Sequence, residues 1–192
     1  MVPRKLSPNE KLNVAGIGVG GQGVSDIMNC AKQKDLVNVV ALCDVDDKNA
    51  EESFYRLPDA KRYKDYRKMF DEMGDQIDAV TITTPDHSHA PIAYTAMKLG
   101  KHARIQKPLT HTIAEARLLR KVAEESGVVA VMGNQGHSGH DIRDVCEFVW
   151  AKTVGEIKEV HVWTSRPGWP QGIAEPLPEE AIPATLDWDL WL

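Results

Sequence analysis

The chain has 192 residues, 42% of them hydrophobic and 27% charged, with a formal net charge of −5 and a pI near 5.8. This composition can bury an ordinary core, and the acidic balance offers no footprint for nucleic acid or an anionic membrane, because Lys61-Arg62-Tyr63-Lys64 is short and broken by acids. Cys30, Cys43 and Cys146 are few, odd in number and widely spaced, which suits reduced thiols better than a disulfide framework or a zinc site. No apolar run approaches the ~18 residues of a membrane span, and Met1 to Asn13 is polar, without a signal-peptide core. As written, the chain reads as cytoplasmic.

In chain order, periodicity predicts a strand at Leu12–Ile17, a helix at 22–34, a strand at Val37–Cys43, a helix at 47–57 and a short helix at Tyr66–Met73. A strand over 78–83 follows, then a helix over 89–99 closed by Gly100. Next come a strand at His102–Ile105, a helix over 112–125 closed by Gly127, and a strand over 128–132. Strands separated by helices of about ten residues imply parallel pairing with right-handed crossovers. The expected fold class is therefore α/β, a doubly wound parallel sheet of the Rossmann kind, with its ligand at the carboxyl ends of the strands. Gly133-Asn134-Gln135-Gly136-His137-Ser138-Gly139-His140 changes the texture. The division is placed there, giving an NAD-binding domain over 1–133 and the beginning of an α+β substrate domain over 134–192. In the second part a helix is expected over 142–150 and a long alternating strand over 155–164.

Between the first strand and helix lies Gly18-Val19-Gly20-Gly21-Gln22-Gly23, a G-x-G-x-x-G loop in the context that a dinucleotide requires. Gly18 makes the tight turn, Gly20 lets the backbone approach a pyrophosphate, and Gly23 lets the helix pack on its strand. Gly21 and Gln22 stand at the helix N-terminus, whose N–H groups face the phosphates. Asp44, about 20 positions beyond Gly23 at the end of the second strand, can accept hydrogen bonds from the adenosine ribose. Its carboxylate would repel a 2′-phosphate, and Val45-Asp46-Asp47 supplies no Arg to offset that, so NAD is favoured over NADP.

Three motifs in order resemble the Gfo/Idh/MocA oxidoreductase family, the relatives of glucose–fructose oxidoreductase and inositol dehydrogenase, over essentially the whole chain. They are the Gly18–Gly23 loop, Thr83-Thr84-Pro85-Asp86-His87-Ser88-His89 after the fourth strand, and Gln106-Lys107-Pro108 after the fifth. Family members typically carry Glu-Lys-Pro at the last of these, so Gln106 is a departure. Asn134-Gln135-Gly136-His137-Ser138, the Arg166 to Gly172 run and Leu186 to Leu192 are similar to a bacterial subgroup with Gln-Lys-Pro. That subgroup often carries an export signal, which would make the protein periplasmic if one preceded this sequence.

The resemblance implies an NAD-dependent oxidoreductase acting on a sugar or polyol, with Lys107 as the catalytic group that handles the hydroxyl proton. Thr83, Pro85, His89 and Gln106 then join Gly18, Gly20, Gly21, Gln22, Gly23 and Asp44 around the cofactor. Asn134 joins them at the nicotinamide. Gln135 and His137 are candidates for the substrate, as are Trp163, Arg166 and Trp169, whose aromatic faces could stack on sugar C–H surfaces. Asp86-His87-Ser88-His89 and the pair His137 and His140 lack the spacing of a familiar zinc site, and no metal is expected. Related glycosidases use NAD transiently without net redox change, which gives a second enzyme reading. A non-catalytic NAD-binding module is the third. The family continues through a large substrate-binding sheet, so the chain is expected to be a piece of a longer protein, a homo-oligomer when complete.

Overall fold

The computed structural model describes residues 10–165, 172 and 177–192. Its core is a six-stranded sheet in the order β3-β2-β1-β4-β5-β6, every neighbouring pair parallel. The strands are β1 Leu12–Ile17, β2 Val37–Cys43, β3 Lys61–Tyr63, β4 Ala79–Ile82, β5 His102–Ile105 and β6 Ala130–Met132. The helices are α1 Gln22–Ala31, α2 Glu51–Arg56, α3 Tyr66–Met73, α4 Asp86–Lys98, α5 Ile113–Ser126, α6 His140–Trp150 and α7 Trp188–Trp191. This is the doubly wound Rossmann sheet, with β1 and β4 at its centre flanking the point where the winding reverses.

Side chains alternate across each strand, so Leu42 leaves one face of β2 while Ala41 and Cys43 leave the other. On the first face Leu42 joins Val14, Val19, Ile27 of α1 and Phe54 of α2. On the second, Ala41 and Cys43 join Met69 and Phe70 of α3, Ile92 and Met97 of α4, and Leu119 and Val122 of α5. Burial on both faces is why β1, β2 and β4 read as near-continuous apolar runs. Helix α5 is bounded by a capping box, Thr112 with Glu115, and by Gly127 at φ 65°.

Several boundaries differ from the sequence expectation. Strand β3 was not foreseen, because its three residues are polar or aromatic and sit at the periphery. Helix α2 starts at Glu51 rather than 47, since the Asp46 carboxylate holds Lys48 and Asn49 in a turn at 3.0 and 3.4 Å. Helix α1 ends at Ala31, and α4 begins at Asp86. The strand expected over 155–164 does not form: these residues are exposed and none of them belongs to a strand. Alternation alone does not make a strand without a neighbour to complete its ladder.

Contacts divide the chain into two units, one of 1–133 with 182–192 and one of 134–181. The second contains a 3₁₀ turn at Gly136–Ser138, closed by the Ser138 hydroxyl on the Asn134 carbonyl at 3.2 Å, and α6, none of whose residues is buried. Among the described residues no helix is long and apolar enough to cross a membrane.

Candidate cofactor-binding site

At the carboxyl ends of β1, β2 and β4 lies a cavity of about 430 Å³, within the range of small-molecule sites. It brings together Gly18, Gly20, Asp44, Thr83 and Pro85 of the expected set, with Asn49, Tyr66 and Arg67 besides. Gly18 has φ 73°, and a Cβ there would come within 2.6 Å of the Thr83 carbonyl oxygen. Gly23 stands behind the loop, where a Cβ would meet the Gly18 carbonyl oxygen at 2.0 Å. Gly20 is needed for a reason the sequence did not reveal. Its missing Cβ leaves room for Asn49, whose amide nitrogen would otherwise be 2.1 Å away.

Asp44 is buried and does two jobs. One oxygen accepts the Val19 and Gly20 N–H groups at 2.8 and 3.0 Å, and the other accepts that of Asp46 at 3.0 Å. A carboxylate has about four acceptor positions, so one remains for a ribose hydroxyl. Burial raises the Asp44 carboxyl above its ordinary value, opposed by the three N–H donors. The cavity's cations are already paired: Lys64 with Asp47 at 2.9 Å, and Arg67, lying over the Tyr66 ring, with Asp65 at 3.3 Å. Cys43 also lines the cavity, but burial and then the Asp44 charge push its thiol far above the usual range, so no thiolate is available.

The residues fit a dinucleotide. The Thr84 hydroxyl is buried at this cavity without a hydrogen-bond partner among the described residues, an acceptor and donor in search of a ligand. Helix α1 begins at Gln22 with Gly21 as an N-cap that gives no side-chain bond; the Gly23 and Val24 N–H groups turn back to the Gly20 and Gly21 carbonyls at 2.7 and 3.3 Å, which leaves the N–H groups of Gly21 and Gln22 for a phosphate. Gly21 and Gln22 are exposed at that point.

His89 and Gln106 act from behind the cavity rather than at its surface. His89 is 1% exposed, with Nδ1 2.7 Å from the Pro108 carbonyl oxygen and Nε2 2.8 Å from that of Thr84. Gln106 is also buried. Its Nε2 donates to Asp26 at 3.2 Å, while its Oε1 accepts the Lys107 N–H at 2.8 Å. Asp26 further accepts from Arg104 at 2.7 Å and from the Thr83 hydroxyl at 2.9 Å. A mid-helix acid on the buried face of α1 was the available signal for this network, and the sequence reading passed over it. Lys107 is exposed, the second residue after β5, before a cis bond to Pro108.

Asn134, Gln135 and His137 are exposed in the second unit, as is Trp163 at 85%. Arg166 and Trp169 lie outside the described residues. Among the described residues no group of three His, Cys, Asp or Glu could hold a metal ion.

A family model described as an oxidoreductase family with an NAD-binding Rossmann fold matches residues 12–134. A glycosyl hydrolase family 109 protein of Shewanella pealeana is 30% identical over 155 residues, covering 77% of this chain and 34% of that protein. The chain thus spans about a third of that relative's length. The crystal structure of myo-inositol 2-dehydrogenase from Lactobacillus plantarum aligns with a TM-score of 0.70 and 25% identity, over 77% of this chain and 43% of that one. An Agrobacterium radiobacter oxidoreductase solved with NAD⁺, L-tartaric acid and magnesium shares the fold at a TM-score of 0.69 and 23% identity, over 77% and 42%. With its Gly18–Gly23 loop, its Asp44 and its sheet order, the chain belongs to the Gfo/Idh/MocA oxidoreductase family and carries that family's NAD-binding Rossmann fold over residues 12–134.

Proposed function

We propose that the protein is an NAD-dependent oxidoreductase acting on a sugar, a polyol or a sugar derivative. The observation that carries this reading is Lys107, the second residue after β5, on a segment that Gln106 and His89 tie to the cavity's own loops. Gly18, Gly20 and the α1 N-terminus would hold the pyrophosphate, Asp44 the adenosine ribose, and Thr83, Thr84 and Pro85 the middle of the dinucleotide. When bound, NAD supplies the acceptor for a hydride leaving the substrate C–H. Lys107 Nζ takes the proton of the same carbon's hydroxyl, so that C–OH becomes C=O. Asn134, Gln135, His137, Trp163, Arg166 and Trp169 are the residues proposed to meet nicotinamide or substrate.

The resemblance to a family 109 glycosyl hydrolase favours one second reading, a redox-neutral glycosidase. A panel of sugars, polyols and glycosides incubated with the protein and NAD separates the two. Accumulating NADH supports the dehydrogenase, and released aglycone without net NADH supports the glycosidase. Neither signal from a protein that binds NAD would overturn catalysis and leave a binding module. Association into a homo-oligomer fits the side chains exposed on the edge strand β6, Val131 at 53% and Met132 at 42%, and sedimentation tests it.

A further inference from the structure

The segment Ile182–Leu192 packs with the first unit and supplies part of the lining of the cavity. It is fastened on two sides. On the β2 side Leu186 forms an antiparallel bridge with Asp46, the Asp47 N–H donates to the Thr185 carbonyl at 3.2 Å, and the Asp187 N–H donates to the Val45 carbonyl at 2.9 Å. The Thr185 hydroxyl also bonds the Asp46 carboxylate. On the β4 side His87 Nε2 meets the Trp191 carbonyl oxygen at 2.9 Å, and the two rings lie edge to face at 5.2 Å. Trp191 stacks on Trp188 at 5.1 Å with the planes 9° apart, and the Asp187 side chain closes the turn on the Leu190 N–H at 3.2 Å. The segment is therefore a strap between the loop that follows β2, beside the ribose-binding carboxylate, and the loop that follows β4, on one side of the switch-point crevice.

Leu190 and Trp191 of this strap line the cavity together with Tyr66, Pro91 and Ile92. Resting on the NAD-binding reading above, we infer that Leu190 and Trp191 form the wall against which the adenine ring lies. Asp44 marks the end of the cavity, because the carboxylate closing β2 is the one that meets the adenosine ribose. The strap is fastened to the three residues that follow it. The reacting end is marked by Lys107, which does not line this cavity. Adenine is a flat ring whose faces prefer aromatic and aliphatic walls, and these five residues supply them at the adenosine end.

Calorimetric titration of the protein with NAD, AMP and nicotinamide mononucleotide tests the assignment. Trp191→Ala should weaken NAD and AMP by roughly tenfold, within the range for removing an aromatic that a base lies against. Nicotinamide mononucleotide should bind as before, and Trp191→Phe should restore most of the loss. Leu190→Ala, which leaves the Trp188–Trp191 stack intact, should move AMP in the same direction by a smaller factor. Unchanged AMP affinity in Trp191→Ala, with NAD still bound by the wild type, overturns the wall alone. Equal losses for AMP and nicotinamide mononucleotide also overturn it. A wild type that binds neither NAD nor AMP overturns the NAD reading with it.

Discussion

The Asp44 carboxylate accepts the Gly20 N–H at 3.0 Å, so the acid that closes β2 also ties down the loop that would cradle the pyrophosphate. Because both carboxylate oxygens accept backbone N–H groups, an amide cannot replace it: Asp44→Asn must turn its own N–H₂ toward a backbone donor on one side. One buried N–H is then unsatisfied, a cost of about 1–3 kcal/mol in urea unfolding. NAD affinity should fall in the same variant, measured by calorimetry. In the wild type NADP should bind several-fold more weakly than NAD, since its 2′-phosphate would face this carboxylate and the nearby cations are paired.

The raised carboxyl of Asp44 predicts a pH dependence of defined sign. Burial makes the folded chain bind this proton more tightly than the unfolded chain does. The group's contribution to stability is therefore full below the ordinary carboxylate value and is lost as pH rises through the raised one. Unfolding free energies measured against pH for wild type and Asp44→Asn should show the wild type losing ground across that window. NAD affinity should rise over the same window, because the ionised carboxylate is the better acceptor for ribose hydroxyls.

The glycines of the loop should differ in their tolerance of alanine. Gly23→Ala drives a Cβ to 2.0 Å from the Gly18 carbonyl oxygen, a backbone atom that cannot swing aside, and should be the most damaging. Gly20→Ala meets the Asn49 side chain, which can partly move, but also its carbonyl oxygen at 2.7 Å, so a cost of about 1–3 kcal/mol is expected. Gly21→Ala meets nothing within 4 Å and carries only the strain of φ 50°, about 1 kcal/mol. Thermal melting of the three variants ranks them, and a Gly21→Ala variant that melts lowest would contradict the ordering.

Gln106 is matched to Asp26. Glutamate at this position would place a second carboxylate oxygen 3.2 Å from Asp26, where an amide N–H₂ now donates. Gln106→Glu should therefore destabilise the chain by about 1–3 kcal/mol, and Asp26→Asn in the same background should recover part of that loss. Additive effects in the double variant would show that the two residues do not interact.

Lys107→Met keeps the aliphatic stem and removes the amine. Turnover should drop by roughly 10²–10⁴ while NAD affinity stays within a few-fold, the pattern of a group that moves a proton without holding the cofactor. A parallel loss of NAD binding would make Lys107 a cofactor ligand instead.

The central strands were legible because burial on both faces leaves an unbroken apolar run, as in Val39-Val40-Ala41-Leu42-Cys43. The glycine loop and Asp44 were legible because their chemistry is local to a strand end and a turn. What escaped is long-range. Gly20 is required by Asn49, Gln106 by Asp26 and the Leu190–Trp191 wall by Asp46 and His87, and no window of sequence contains both partners of any of these pairs. β3 escaped for a different reason, since three peripheral residues carry too little periodicity to register.

His89 touches the Thr84 carbonyl with one ring nitrogen and the Pro108 carbonyl with the other. The loop after β4, which frames the cofactor cavity, and the loop after β5, which carries Lys107, are thus riveted through a single imidazole. A displacement of either loop would then be felt by its neighbour, so the spacing between a dinucleotide held at the first and Lys107, in its proposed role, at the second would depend on one buried ring. Replacing that ring would change alignment before it changed affinity.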